Sequence, residues 1–233
     1  MVTFVHIFDT LIDEYKAGNF GTIDEHFTRN LDQRSIEKTL VTCILSSTWT
    51  YEKAIEAADI VLREFRDSVD TLADEETIES LLRSRQVRHR FPKSKARQLR
   101  ASLSAIDEMQ ESVVDFFAKF ESARLAREFV STNFPGLGYK QSSMFLRDIG
   151  VAHDLAVIDI HIVWFLENVE SVKVASLSKK NYLLLEDYLK SFSDKIGVGM
   201  NALDQLIWAS VREFRKMKRI KGCGMQYVLP LGG

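Results

Sequence analysis

The sequence predicts an all-α fold in two helical lobes, with a helix–hairpin–helix motif at the cleft. Three observations lead there. Apolar residues recur at helical spacing along most of the 233 residues. The three prolines, Pro92, Pro135 and Pro230, fall outside the periodic segments or at their edges. Between two amphipathic segments lies Pro135-Gly136-Leu137-Gly138, a compact helix-to-helix turn.

In chain order, the first apolar stripe is Phe4, Ile7, Phe8, Leu11 and Tyr15. Ile36, Leu40, Cys43 and Ile44 form the second, in a segment apolar enough to be buried. Ile55, Ala58, Leu62 and Phe65 follow, then Val113, Phe116, Phe117 and Phe120, then Leu125, Phe129 and Val130. Near the end come Leu185, Tyr188, Leu189 and Phe192, and then Leu203, Leu206, Ile207 and Phe214. Ser178 stands where an N-cap belongs, before KKNYLLLEDYL. The segment LAVIDIHIVWFL (155–166) has the β-branched content of a strand, but an Asp ahead of an apolar run also starts helices. A helix with Asp159 near its N-terminus is the reading taken. The tail GCGMQYVLPLGG is expected to be irregular. The contiguous helical domain is expected over 33–150, with 1–32 and 151–233 forming the second lobe.

Composition narrows the function classes. With 45% apolar and 27% charged residues the chain is an ordinary globular one. It has no apolar run long enough to span a bilayer, so no membrane association is expected. Two cysteines, Cys43 and Cys223, support neither an iron–sulfur or four-cysteine zinc site nor a disulfide framework, and no metal or cofactor is expected. The N-terminus lacks the basic start and cleavage site of a signal peptide, so an intracellular protein of cytoplasm or nucleoid is expected. The net charge of −2 argues mildly against nucleic acid, but its distribution argues the other way. Arg83 to Arg100 holds eight Lys or Arg and no acid, and Arg212 to Lys221 holds six with one Glu. Such runs are often only solvated faces; acid-free clusters also suit phosphates.

The sharpest signal is 123–150. Pro135 stops one helix, Gly136 and Gly138 permit positive φ and a bare backbone, and Leu137 plugs the gap between the helices. Exposed amides at the start of the next helix make an anion site for a DNA phosphate. A plain αα-turn with glycine caps has the same pattern; the amphipathic flanks and Lys140 directly after the turn favour the DNA reading. Nineteen residues beyond Lys140, Asp159 interrupts an apolar run, where an acid is costly unless hydrogen-bonded or functional.

Pro135-Gly136-Leu137-Gly138-Tyr139-Lys140, then Phe145-Leu146-Arg147-Asp148-Ile149-Gly150, then Val157-Ile158-Asp159-Ile160-His161 resemble the helix–hairpin–helix, Gly/Pro, Asp superfamily of DNA glycosylases. Within it the chain looks most like the archaeal and bacterial 8-oxoguanine DNA glycosylase/AP lyase group. Weaker likenesses are Cys43-Ile44-Leu45-Ser46-Ser47 with Tyr51-Glu52-Lys53-Ala54, the basic Arg90-Phe91-Pro92-Lys93-Ser94-Lys95-Ala96, and Leu203-Asp204-Gln205-Leu206-Ile207-Trp208. Together they span about 35–210.

The resemblance implies a bifunctional enzyme on double-stranded DNA containing a damaged base; a monomer is expected. Lys140 matches the family's Schiff-base lysine and Asp159 its assisting aspartate. DNA contacts are expected at Gly136, Gly138, Arg90, Lys93 and Lys95. His161, Asp204 and Trp208 are the candidates for a base pocket, against the alternatives of a buried structural histidine at 161 and a core aromatic at 208. Endonuclease III-type relatives carry four C-terminal cysteines that this chain lacks, and alkylbase glycosylases lack the lysine. The extension to Gly233 departs from relatives that end soon after the Trp-bearing helix. A glycosylase for another oxidised base, a non-catalytic helix–hairpin–helix DNA-binding module and a helical protein-interaction domain are the competing readings. Only the enzyme readings require Lys140 and Asp159 together.

Overall fold

The structure is a computed structural model and describes residues 3–19, 31–66 and 74–220. Its helices are α1 (Phe4–Lys16), α2 (Gln33–Leu45), α3 (Tyr51–Arg66), α4 (Glu75–Arg83), α5 (Pro92–Asp107), α6 (Val113–Ala118), α7 (Ala123–Asn133), α8 (Tyr139–Asp148), α9 (Ile160–Asn168), α10 (Lys179–Ile196) and α11 (Met200–Ile220), with a 3₁₀ turn at Ser46–Thr48. No strand occurs among the described residues. The C-terminal tail, Cys223, Lys221, the acids of 67–73 and the side chain of Phe65 lie outside them.

The helix starts follow from local chemistry. The side chains of Thr3, Asp32, Asp74, Ser112, Ser122, Asp159 and Ser178 each accept a hydrogen bond from a backbone N–H of the first helical turn. Each removes an orphan donor that would otherwise lack a partner.

Two compact units result: Phe27–Ala152, and Met1–His26 with His153–Gly233. In the first, α2 is central and packs against α3, α5 and α8. Leu40, Val41, Cys43, Ile44 and Leu45 are fully buried there, as its apolar composition requires. In the second, α11 packs against α1, α9 and α10. Phe4 and Phe8 of α1 meet Phe165 of α9, and Phe8 stacks on Phe192 of α10.

The apolar stripes shift in two places. In α1 the buried face is Phe4, Ile7, Phe8 and Ile12, not Leu11. In α7 Ala126 and Val130 are buried while Leu125 is exposed. The stretch 155–166 divides: residues 155–159 carry no regular secondary structure, and the helix begins at Ile160. Asp159 is its N-cap.

Candidate active site

The hairpin belongs to the unit of α2 to α8. α7 ends at Asn133, and the chain turns through Phe134-Pro135-Gly136-Leu137-Gly138 into α8. Leu137 is buried, its N–H donates to the Phe134 carbonyl, and its own carbonyl accepts from the Ser142 hydroxyl. Ser102 of α5 donates to the Pro135 carbonyl.

The two glycines serve different ends. Gly136 has φ +95°, and a Cβ there would lie 2.8 Å from the Gln98 side-chain oxygen. Gly138 has φ −76° and ψ −177°, extended backbone that any residue adopts, so the expected positive φ is needed only at Gly136. At Gly138 the bare backbone is what counts. It is the N-cap of α8 and offers no side chain, which leaves the first amides of α8 open to an anion. Gly136→Ala should therefore destabilise the fold by about 1–3 kcal/mol through φ strain and overpacking. Gly138→Ala should keep the native melting temperature but weaken duplex binding. Thermal melting and fluorescence anisotropy of the two variants check this.

Lys140 lies in the first turn of α8, partly buried. Its amine lies 3.9 Å from the Met144 sulfur, a weak acceptor. Side chains of α7 brace the start of α8. Arg127 of α7 is buried, donates to the Ser143 hydroxyl at 3.2 Å and stacks on the Tyr139 ring at 4.9 Å. The Tyr139 hydroxyl donates to Glu128. Farther along α8, Asp148 pairs with Arg147 at 2.9 Å and accepts from the Tyr51 hydroxyl at 3.4 Å. Burial and the Asp148 charge hold the Tyr51 phenol protonated far above its usual range.

The basic run becomes the end of α4, a loop and α5. Arg90, Lys93 and Arg97 are exposed, but Lys95 is not: it is 5% exposed, and its amine donates to the Ser47 hydroxyl at 2.6 Å. Burial pushes its pKa down to about 8. Of the expected DNA-contacting side chains, then, Arg90 and Lys93 face solvent while Lys95 faces inward. Beside it His89 is buried, with Nδ1 accepting from the Phe91 N–H and Nε2 donating to the Leu45 carbonyl. That assigns a neutral ring, and burial lowers its pKa accordingly. Non-specific DNA affinity should fall with log salt at a slope of about −0.9 per phosphate contact. Replacing Arg90 and Lys93 should flatten that slope, whereas Lys95→Met should not. Titrations at four salt concentrations read the difference.

The second unit holds Asp159. Its Oδ1 accepts from the N–H groups of His161 and Ile162 at 2.7 and 3.0 Å, and its Oδ2 contacts His161 Nδ1 at 2.8 Å. Burial alone would raise its pKa, but the His161 ring, by hydrogen bond and charge, and the two N–H groups outweigh that and hold the carboxyl below its usual range. Asp159 is therefore a carboxylate at neutral pH, fixed in direction by three donors.

His161 also faces Trp208 edge-on, at 6.1 Å between centroids. Trp208 remains 39% exposed, with the Arg212 guanidinium 4.2 Å over its ring. Asp204, one turn earlier on α11, lines an apolar cavity with Ala156, Val157, Ile162, Leu203 and Ile207. Of the expected pocket residues, His161 and Trp208 meet, and Asp204 sits beside them on the helix that carries Trp208. Sequence reasoning missed the Asp159–His161 bond and the inward turn of Lys95. A polar residue two places after an acid was the available signal for the first; the second left none.

Comparison with known proteins fits this arrangement. A family model described as 8-oxoguanine DNA glycosylase matches residues 20–198. The 8-oxoguanine DNA glycosylase/AP lyase of Korarchaeum cryptofilum is 30% identical over 184 residues, 78% of this chain and 82% of its own length. That of Methanocaldococcus jannaschii is 30% identical over 204 residues, 87% of each chain. The crystal structure of the M. jannaschii 8-oxoguanine DNA glycosylase superposes with a TM-score of 0.70 at 26% identity, covering 88% of this chain and 92% of that one. Its complex with a 15mer DNA containing 8-oxoguanine gives a TM-score of 0.58 at 29% identity, covering 87% of each.

Proposed function

Because the chain belongs to the 8-oxoguanine DNA glycosylase family, we propose that it excises 8-oxoguanine from duplex DNA and then cuts the strand as an AP lyase, with Lys140 as nucleophile and Asp159 as its assisting carboxylate. The observation that carries the assignment of Lys140 is its place. It stands one residue into a helix whose uncapped N-terminus suits a DNA phosphate, with no carboxylate among the described residues of its own unit tying the amine down.

The chemistry asks for these groups. A stacked nucleotide hides its anomeric carbon, so the damaged nucleotide must be flipped out. The neutral Lys140 amine attacks C1′; the C1′–N9 bond breaks, its electron pair leaves with the base, and the base takes up a proton. Ring opening gives a Schiff base between C1′ and Nζ. Loss of a C2′ proton then expels the 3′ phosphate by β-elimination. A fixed carboxylate stabilises positive charge developing on the sugar and receives the proton from the attacking amine. Asp159 is such a carboxylate, oriented before any substrate arrives. The chain is proposed to act as a monomer.

The Trp208 face and His161 are suited to hold an extruded purine, with Asp204 close by, and Arg90 and Lys93 to hold the backbone. Borohydride trapping across duplexes that each carry one defined lesion tests the substrate. Trapping should be strongest with 8-oxoguanine opposite cytosine and absent with undamaged DNA. Strong trapping with thymine glycol, and none above background with 8-oxoguanine, would move the enzyme to another oxidised base.

A further inference from the structure

In an all-helical unit, Asp159 is delivered by a stretch of chain that is not helical. Residues 155–159 carry no regular secondary structure, and Leu155, Ala156, Val157 and Ile158 are all at most 5% exposed. Buried backbone amides and carbonyls need partners, and no strand occurs among the described residues to supply them. Two side chains of α10 do so. The Tyr182 hydroxyl accepts from the Ile158 N–H at 3.1 Å and donates to the Ala156 carbonyl at 2.7 Å. The Glu186 carboxyl accepts from the Ala156 N–H at 3.0 Å. Tyr182 and Glu186 are each 1% exposed and one helical turn apart, so both face this segment.

We infer that Tyr182 and Glu186 are positioning residues for Asp159: α10 stands in for a neighbouring strand and fixes the residue before the carboxylate. The inference rests on Asp159 acting at the reacting sugar. The hydroxyl of Tyr182 grips both sides of Val157, clamping the peptide on either flank. Ile158, whose N–H it holds, is bonded directly to Asp159. Releasing these bonds frees the segment to shift while leaving the helix cap itself intact. A displacement of about an ångström in a catalytic group lowers rates by up to about a hundredfold.

Single-turnover base excision on an 8-oxoguanine duplex, at saturating enzyme, tests this. Misfolded protein then lowers the amplitude and not the rate constant. Tyr182→Phe in the native background should slow excision between about ten- and a hundredfold with duplex affinity unchanged. In an Asp159→Asn background the same change should alter the rate by less than about twofold, because the group it positions is already disabled. Glu186→Ala should slow excision, and Glu186→Gln, which keeps an acceptor oxygen, should recover most of the rate. An equal loss from Tyr182→Phe in both backgrounds, or a native rate in Tyr182→Phe with Asp159→Asn slow, overturns the positioning role alone. A native rate in Asp159→Asn by itself overturns the reading beneath it as well.

Discussion

Lys140→Gln is expected to abolish strand cleavage and borohydride trapping while duplex binding and folding stay near native. Glutamine keeps the length and polarity of the side chain but cannot form a Schiff base. Loss of a covalent nucleophile removes on the order of 10⁴-fold or more of the rate in enzymes where it has been dissected. The folding cost should be small. Lys140 is only partly buried, and its amine contacts only a weak acceptor, the Met144 sulfur, among the described residues of its unit. The turn that carries it is held by Leu137, Arg127 and Tyr139, none of which the substitution touches. Trapping assays and anisotropy on the same preparation check both halves. Undiminished trapping would remove Lys140 from the mechanism.

Asp159→Asn is expected to slow base excision by about a hundredfold or more, the scale seen when preorganised electrostatic stabilisation is lost. The cap should survive, because the asparagine oxygen still accepts from the N–H groups of His161 and Ile162, and Asn caps helices as well as Asp does. The wild-type carboxyl has a folded pKa below its unfolded value of about 3.9. It therefore contributes stability that is fully present above that value and lost as pH falls through the lower, folded one. The variant should lack this acid-side loss. Single-turnover kinetics at neutral pH and melting curves from pH 5 to pH 2 measure the two effects. Native turnover with native melting at every pH would leave Asp159 only a capping residue.

Much of this was legible in the sequence, for reasons that differ by residue. The helices could be read because burial of one face imposes a spacing. Where two neighbouring residues compete for that face, as Leu11 and Ile12 do, spacing alone does not choose. The hairpin could be read because few residues fit a tight turn, yet its glycines looked equivalent. Only the dihedral angles separate Gly136, which the fold requires, from Gly138, which it does not. Asp159 stood out as an acid in an apolar run, and its role as N-cap followed from position. The inward turn of Lys95 was hidden. A lysine inside a basic run resembles its neighbours, and the hydroxyl that holds it, on Ser47, is 48 residues away in the chain. The grip of Tyr182 on Ala156 was hidden in the same way, since side chain-to-backbone bonds across 26 residues leave no periodic trace.

The central claim is that Lys140 is the amine that becomes bonded to the sugar. Mass spectrometry of peptides from the borohydride-reduced complex, formed on an 8-oxoguanine duplex, tests it directly. The account predicts the residual nucleotide mass on the peptide carrying Lys140. An adduct on Lys95, on another lysine or on the N-terminal amine, with Lys140 unmodified, would contradict it.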